Sequence, residues 1–146
     1  MLLAGPVAQA QSDDPHAAAK DAARAAAQEW LEHLEDPDIE DSWEDAAASF
    51  RDRTDRESWA RGATRLADSL GRPAARTLVT ARHRDSLRAP AAPGPFVELT
   101  YRSRFPDGRY EERLLVARDE EDWRVAGYQV RPLPESTSPV RADPGS

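Results

Sequence analysis

The chain has 146 residues, a mass of 16.2 kDa and a formal net charge of −7, which is the size of one compact domain. Every cationic side chain except Lys20 is an arginine, and the acidic excess argues against a nucleic-acid-binding protein, which needs cationic surface to displace counterions. The sequence has no cysteine and no apolar run long enough to span a bilayer, so it predicts no disulfide, no thiolate metal site and no transmembrane segment.

The two ends of the chain differ in composition from its middle. Residues 1–10 are apolar and small and close with Ala8-Gln9-Ala10, the pattern of a signal-peptidase site. We interpret residues 1–10 as the remnant of a signal peptide, 11–14 as flexible, and 15–131 as a single α+β domain. Residues 132–146 are rich in Pro and Ser and are predicted to be a disordered tail. The expected location is periplasmic or secreted, with the cytoplasm as the alternative.

Three helices are predicted in the first half of the domain. The first starts at Asp14-Pro15 and runs to about Glu35, and Pro37 ends its pattern. The second is shorter, with a stripe of apolar residues at Ile39, Trp43, Ala46, Ala47 and Phe50. The third opens with a capping box in which the Thr54 hydroxyl accepts from the Glu57 amide, and Gly71 provides a left-handed cap at its end.

The three tryptophans of these helices, Trp30, Trp43 and Trp59, each lie on an apolar helical stripe. Such positions favour large side chains that pack in a core. We therefore interpret the indoles as core residues rather than as a ligand-binding cage.

After Pro73 the sequence predicts four strands. They cover residues 76–87, 96–105, 109–118 and 123–131, and residues 88–95 between the first two are predicted to be a loop. Pro106-Asp107-Gly108 is a tight-turn signal, and Gly127 is predicted to mark a β-bulge. Consecutive strands joined by short turns favour an antiparallel meander. The predicted architecture is three N-terminal helices packed on one face of this four-stranded sheet.

Few residue combinations in the sequence could carry chemistry. Glu29 and His33 lie four residues apart on a helix, but no further ligands accompany them, so no metal site and no cofactor are predicted. The weak catalytic candidates are His83, Glu98 and Tyr101, because a buried histidine beside a carboxylate can act as a general base. No nucleophile or phosphate-loop signature accompanies them.

Charge is unevenly distributed along the chain. The segment from Gln28 to Ser49 has nine acidic residues and no Lys or Arg, whereas Arg51 to Arg88 is rich in arginine. The favoured interpretation is that these charges neutralise each other or stay solvated, and the alternative is a docking face for a basic partner. Arg102 and Arg104 could bind an anion, but are expected to pair across strands with Glu111 or Glu112.

An ordered set of short motifs runs through the domain: Trp30-Leu31, Ser42-Trp43, Ala46-Ala47, Phe50-Arg51, Arg56-Glu57, Trp59, Leu70-Gly71-Arg72, Ser86-Leu87, Pro93-Gly94, Tyr101, Phe105, Glu112 and the closing run 123–128. This set resembles a bacterial family of exported proteins catalogued as domain of unknown function 4019. The resemblance implies no catalytic residues. The order of helices and strands also resembles the nuclear-transport-factor-two-like (cystatin-like) fold, in which helices and a curved sheet enclose a cone-shaped cavity.

The sequence thus favours a non-enzymatic exported domain that binds a protein or small ligand in the cell envelope. Two alternatives stay open. One is a small-cavity isomerase or dehydratase that uses His83, and the other is a homo-oligomeric scaffold, such as a homodimer, that pairs through the free face of the sheet.

Overall fold

A computed structural model describes residues 14–35, 39–88 and 91–134, so the predicted signal-peptide remnant and most of the predicted tail lie outside the described residues. In chain order the elements are α1 (Ala17–Glu35), α2 (Glu40–Glu44), α3 (Ala48–Arg53), α4 (Arg56–Leu70), β1 (Ala75–Arg88), β2 (Ala91–Phe105), β3 (Gly108–Asp119) and β4 (Asp122–Pro132). The α+β class is confirmed. Leu133 still donates its backbone N–H to the Arg109 carbonyl at 2.9 Å, so ordered contacts continue just past β4.

The predicted second helix is wrong in one respect, because it is divided into α2 and α3. The backbone N–H of Ala47 donates to the Val125 carbonyl on β4 at 2.8 Å. Ala47 is extended, and a new helix starts at the next residue. The described chain therefore has four helices, not three, and the break between α2 and α3 ties the helices to the last strand.

Both ends of α4 differ in detail from the prediction. The N-cap is Asp55, whose carboxylate accepts from the Ser58 N–H at 2.7 Å, so the predicted Thr54 cap is wrong by one residue. A carboxylate accepts from the free amides of the first helical turn as a hydroxyl does, and it also interacts favourably with the positive end of the helix. At the other end Gly71 has a φ of 77° but a ψ of −162°, which lies outside the left-handed helical region.

The four strands form one open antiparallel sheet in the order β1-β2-β3-β4, which confirms the meander. The predicted loop at 88–95 is wrong for residues 91–95, since β2 already starts at Ala91 and Pro93 is in register with Ser86. The register shifts between Arg84 and Ser86, and proline is tolerated beside such an irregularity because fewer ladder bonds are formed there. A second shift in β1 falls at Val79, whose side chain is exposed.

The predicted bulge near Gly127 is confirmed. The register of β3 and β4 shifts between Leu115 and Val116, which leaves Ala126 as the extra residue. The carbonyls of Val125 and Ala126 accept from the Ala47 amide at 2.8 Å and from the Arg53 guanidinium at 2.6 Å. The bulge thus provides the acceptors that hold the helical break.

The core lies between α1 and the sheet. α1 contacts all four strands, and α4 contacts α1 and α2. Cross-strand partners share a face of the sheet, so the register identifies the buried face. The core residues are Ala23, Ala27, Trp30 and Leu31 of α1, Ala46, Phe50, and Val97, Leu99, Tyr101, Leu114, Val116 and Val125 of the sheet.

The indoles are core residues, as predicted. Trp30 is 2% exposed, and Trp43 and Trp59 pack against the same cluster. A buried serine, Ser42, links two of them: its carbonyl accepts from Trp30 Nε1 at 2.8 Å and its Oγ accepts from Trp59 Nε1 at 2.7 Å. Ser42 Oγ in turn donates to the Ile39 carbonyl. We call these residues the Ser42 centre.

The opposite face of the sheet, which we call the outer face, is rich in arginine. The register places Arg82 opposite Glu98, Arg102 opposite Glu111 and Arg104 opposite Arg109. Strands β1, β2 and β3 each contribute two arginines to this face, and β4 contributes one: Arg82 and Arg84, Arg102 and Arg104, Arg109 and Arg113, and Arg131. The Arg124 side chain of β4 instead donates to the Asp45 carbonyl on the helical side at 3.3 Å.

Candidate functional site

A buried carboxylate lies in the middle of the core face of the sheet. Glu112 of β3 is 1% exposed and accepts hydrogen bonds from three side chains on three other strands. Arg76 of β1 donates from Nε at 2.7 Å and from Nη2 at 3.2 Å. Tyr128 of β4 donates its hydroxyl at 2.5 Å, and Ser103 of β2 donates a short hydrogen bond. We call these four residues the Glu112 centre.

The charge of this centre is balanced by Arg76. The Nη1 atom of Arg76 also donates to Glu35, at the end of α1, at 3.1 Å. Burial by itself would lower the pKa of Arg76, but the hydrogen bonds and negative charges of Glu112 and Glu35 outweigh it, so that the pKa lies above its ordinary value. The guanidinium therefore stays charged and fixes Glu112 in a bidentate pair.

The phenol of Tyr128 is held in its neutral form. Burial raises its pKa above the ordinary tyrosine value, and the charge and hydrogen bond of Glu112 raise it further. A neutral phenol can donate to a carboxylate, whereas a phenolate would repel it. Tyr128 thus completes the set of donors that Glu112 needs.

The bonds of Glu112 limit what it can do chemically. A carboxylate has two oxygens with about four acceptor sites in total, and here four donors occupy them. To remove a proton from a substrate, Glu112 would first have to give up hydrogen bonds to Arg76, Ser103 or Tyr128. The arrangement is that of a structural ion pair.

A small cavity of about 40 Å³ lies beside the Glu112 centre, with Arg76, Glu112 and Tyr128 in its wall. That volume holds about two or three water molecules. The rest of its lining is largely apolar and comes from α1, α4 and Phe105: Leu34, Ala63, Leu66, Ala67 and Leu70 contribute. The cavity leads outward between α1 and α4.

A larger open groove of about 740 Å³, the helical groove, starts from the same place and runs between the end of α1, α2 and α4. Leu34, Glu35, Ala67 and Gly71 line both spaces, so the small cavity adjoins the groove. The apolar wall of the groove includes Leu34, Ile39, Ala60 and Ala67. A cleft of this size is in the range of small-ligand and peptide sites.

The charged groups of the helical groove are mainly carboxylates. Glu40 pairs with Arg56 at 3.2 Å, and Glu35 pairs with Arg76. Asp41 and Asp68 line the groove and form no ion pair with any residue that the structure describes. Arg72 is the cation in the lining. The groove therefore combines apolar surface with two carboxylates that remain available to a ligand.

The structure does not bring the predicted catalytic pair together. His83 is in register with Val97 on the core face, whereas Glu98 lies on the outer face and pairs with Arg84 at 3.2 Å. The imidazole of His83 stacks on that of His16, with ring centroids 3.6 Å apart. Its Nδ1 is 3.8 Å from the Asp85 carboxylate, which is beyond hydrogen-bond distance.

Tyr101, the third predicted residue, lies next to the Glu112 centre, since it is in register with Glu112. Burial raises its pKa, although the charges of Arg24 and Arg76 oppose that rise. The predicted pairing of Arg102 or Arg104 with Glu111 or Glu112 is not formed. Glu111 contacts Arg113 and Arg131 instead, and Glu112 faces the core.

The described residues form neither a metal-binding cluster nor a membrane-spanning helix. Among the described side chains no three carboxylates or histidines converge in a way that could hold a metal ion, and His33 contacts Asp45 at 2.7 Å. None of the helices in the described part of the chain combines the length and the apolar character needed to cross a membrane.

The fold and the site define a small α+β domain in which four helices accompany an open four-stranded antiparallel sheet with a buried ion pair on its core face. The chain belongs to the family described as "Protein of unknown function (DUF4019)", whose model matches residues 26–128. The match confirms the family suggested by the ordered motifs. No curated protein and no solved structure shows a significant match to the chain.

Proposed function

We propose that this chain is a non-enzymatic binding module of the cell envelope and that the helical groove is its ligand site. The observation that carries the proposal is the continuous groove of about 740 Å³ with an apolar wall and two carboxylates, Asp41 and Asp68, that lack a described partner. Five of the eleven lining residues are charged and four of these are carboxylates, so the groove is complementary to a cationic ligand. The ligand we propose is a short peptide segment with cationic and apolar side chains.

The chemistry of the buried groups supports binding over catalysis. Glu112 uses its acceptor sites on Arg76, Ser103 and Tyr128, and His83 is stacked on His16 away from Glu98. General base catalysis requires a group within reach of a substrate proton. The His83 enzyme therefore ranks second. A ligand-bound structure with the His83 imidazole inside an apolar pocket and within hydrogen-bond reach of Glu98 would favour it.

The homo-oligomeric scaffold ranks third. In a two-fold symmetric dimer that pairs through the outer face, the same surface of each subunit meets the other. That would place the arginines of one outer face against those of the second, and like charges repel. Light scattering that shows a stable dimer at moderate salt would reverse this ranking.

Export is part of the proposal and is supported by the Ala8-Gln9-Ala10 site in the sequence. It is tested by cell fractionation of the native gene product and by sequencing its mature N-terminus. A periplasmic or secreted protein that begins at Gln11 is the expected result, and a cytoplasmic protein that retains residues 1–10 contradicts export. The likeness to the nuclear-transport-factor-two-like fold also stays a prediction, which an experimental structure with a ligand in the groove would test.

The groove is tested by titrating the chain with a Lys- and Leu-containing peptide and with its Glu-containing counterpart, by calorimetry or by indole fluorescence. We expect only the cationic peptide to bind. The double variant Asp41→Asn/Asp68→Asn should bind it roughly tenfold more weakly, since charge-assisted contacts are lost. The matched control Asp52→Asn/Glu120→Gln removes two exposed carboxylates outside the groove and should bind like the unmodified chain. An equal loss of peptide affinity in both double variants would show that the peptide is held by general charge attraction, which would contradict the groove as the ligand site.

A further inference from the structure

We propose that the outer face of the sheet docks the chain onto an anionic membrane surface through contacts between arginines and lipid phosphates. Seven arginines and two glutamates share this face, in a chain whose overall charge is −7. Arg82, Arg102 and Arg104 form no ion pair with any described residue. The outer face is therefore basic, whereas the chain as a whole is acidic.

The clearest feature of the face is the pair Arg104 and Arg109, which lie directly opposite each other on β2 and β3. Like charges at directly opposed positions destabilise a sheet. Arg109 is held in place by a hydrogen bond to the Pro134 carbonyl at 3.1 Å, and Arg102 lies two residues from Arg104 on the same face. Anions bound between these guanidinium groups would remove the repulsion.

The chemistry of the side chains favours phosphate groups. Arginine presents a planar set of donors that binds phosphate oxygens in a bidentate manner, and it keeps its charge at any physiological pH. All the cations on the outer face are arginine. Juxtamembrane cationic side chains are attracted to the negative surface of anionic lipid bilayers.

The distribution of the arginines favours a surface over a linear partner. Neighbouring strands lie roughly 5 Å apart, so one extended anionic chain covers little more than a strand or two. The arginines come from all four strands, and only a two-dimensional array of phosphates can meet them together. α1 covers the opposite face of the sheet, and the acidic residues of α1 and α2 belong to that helical side. Docking by the outer face would thus direct the acidic side away from the lipid.

This docking is independent of the proposed groove, because the helical groove is formed by α1, α2 and α4 and not by the outer face. The Asp41→Asn/Asp68→Asn variant should bind membranes at least as well as the unmodified chain. Loss of membrane docking and loss of peptide binding can therefore be observed separately, and either proposal can fail alone.

The experiment measures co-sedimentation of the full chain with vesicles of phosphatidylglycerol and phosphatidylcholine, and with vesicles of phosphatidylcholine alone. We expect binding only to the anionic vesicles, and its loss as salt is raised. Arg102→Ser/Arg104→Ser should reduce vesicle affinity about 25-fold, from roughly fivefold for each arginine. Arg61→Ser/Arg65→Ser on the exposed side of α4 removes the same charge and should have little effect.

The Arg102→Ser/Arg104→Ser variant is expected to fold, because both side chains are exposed and its thermal midpoint should equal or exceed that of the unmodified chain. Failure of the unmodified chain to bind anionic vesicles overturns the proposal. So does an equal loss in the α4 control. Soluble polyphosphate and polyglutamate are tested as competitors at matched charge, and binding to either one that is tighter than binding to vesicles would assign the face to that polymer instead.

Discussion

The molecule has two buried polar centres of different chemistry, one among the helices and one on the sheet. The Ser42 centre is neutral: a serine hydroxyl and a backbone carbonyl accept from two indole N–H groups. The Glu112 centre is charged, and its carboxylate takes two bonds from Arg76 and one each from Ser103 and Tyr128. The central residue of each centre, Ser42 or Glu112, is at most 1% exposed. The centres differ in how many hydrogen bonds to that residue must form for the chain to stay folded.

The difference follows from the cost of burying each kind of group. A neutral hydrogen bond contributes about 1 kcal/mol net, whereas a buried charge left without its partner costs about 3–5 kcal/mol. The neutral centre can therefore lose a bond and remain folded, while the charged centre acts as a unit. Variants at Arg76, Tyr128 and Ser42 test this contrast, and a cap variant of α4 outside both centres sets the lower end of the scale.

The largest effect is expected for Arg76→Met, which leaves the Glu112 charge buried without a cation. Unfolding in urea should show a loss of about 3 kcal/mol. The double variant Arg76→Met/Glu112→Leu removes the charge as well and should be more stable than the single variant. If the double variant is less stable than Arg76→Met, the idea that Arg76 and Glu112 stabilise the chain only as a pair is contradicted.

Tyr128→Phe removes one donor to Glu112 and should cost about 2 kcal/mol, since the acceptor is charged. It should also alter the response to alkaline pH. The raised pKa of Tyr128 means that above about pH 10 the unfolded chain binds fewer protons than the folded one, so the free energy of unfolding falls as pH rises.

The measurement for Tyr128 is the unfolding free energy at several pH values between neutral and strongly alkaline. The decline should be shallower in Tyr128→Phe than in the unmodified chain. Tyr110→Phe is the comparison variant: desolvation and the Asp107 carboxylate, which its hydroxyl contacts at 3.3 Å, also raise the pKa of Tyr110, but it lies outside the centre and its removal should flatten the decline less than Tyr128→Phe. An unchanged alkaline slope in Tyr128→Phe contradicts the role given to this phenol.

Ser42→Ala breaks the neutral centre and should cost about 1 kcal/mol, because Trp59 Nε1 loses its acceptor while Trp30 keeps the backbone carbonyl. Ser49→Ala on α3 is exposed and serves as the control. Thermal unfolding monitored by indole fluorescence measures the stability of both variants. A loss for Ser42→Ala as large as that for Arg76→Met would remove the distinction between the two centres.

The smallest effect is expected at the start of α4, outside both centres. Asp55→Ala should lower the thermal midpoint slightly, because the Ser58 amide loses its cap, and Thr54→Ala should leave it unchanged. The sequence pattern alone predicts the reverse order. Comparison of the two midpoints thus decides which residue caps the helix.

Much of the fold could be predicted because the apolar periods are clear. The helical stripe through Trp30, the alternation from Val97 to Phe105 and the turn at Asp107-Gly108 depend on local sequence, and each is present in the structure. The division of the second helix depends on the Val125 carbonyl, which is distant in sequence. No local pattern contains that information.

The Glu112 centre was missed for a different reason, although a signal exists. Glu112 falls in the same alternation as Tyr110, Leu114 and Val116, so a charged residue stands where the pattern requires a core position. Ser103 interrupts the alternation from Tyr101 to Phe105 in the same way. A polar residue in step with buried neighbours predicts a buried polar group, but its partner on β1 is known only from the register.

The contact between the helical break and the bulged strand has a consequence for biosynthesis. The Ala47 amide and the Arg53 side chain bind carbonyls that lie more than seventy residues later in the chain. Contacts over such separations form late, since the intervening chain must first be ordered. During translation the early helices are made well before their anchoring strand leaves the ribosome, so they remain without their final support until β4 has emerged.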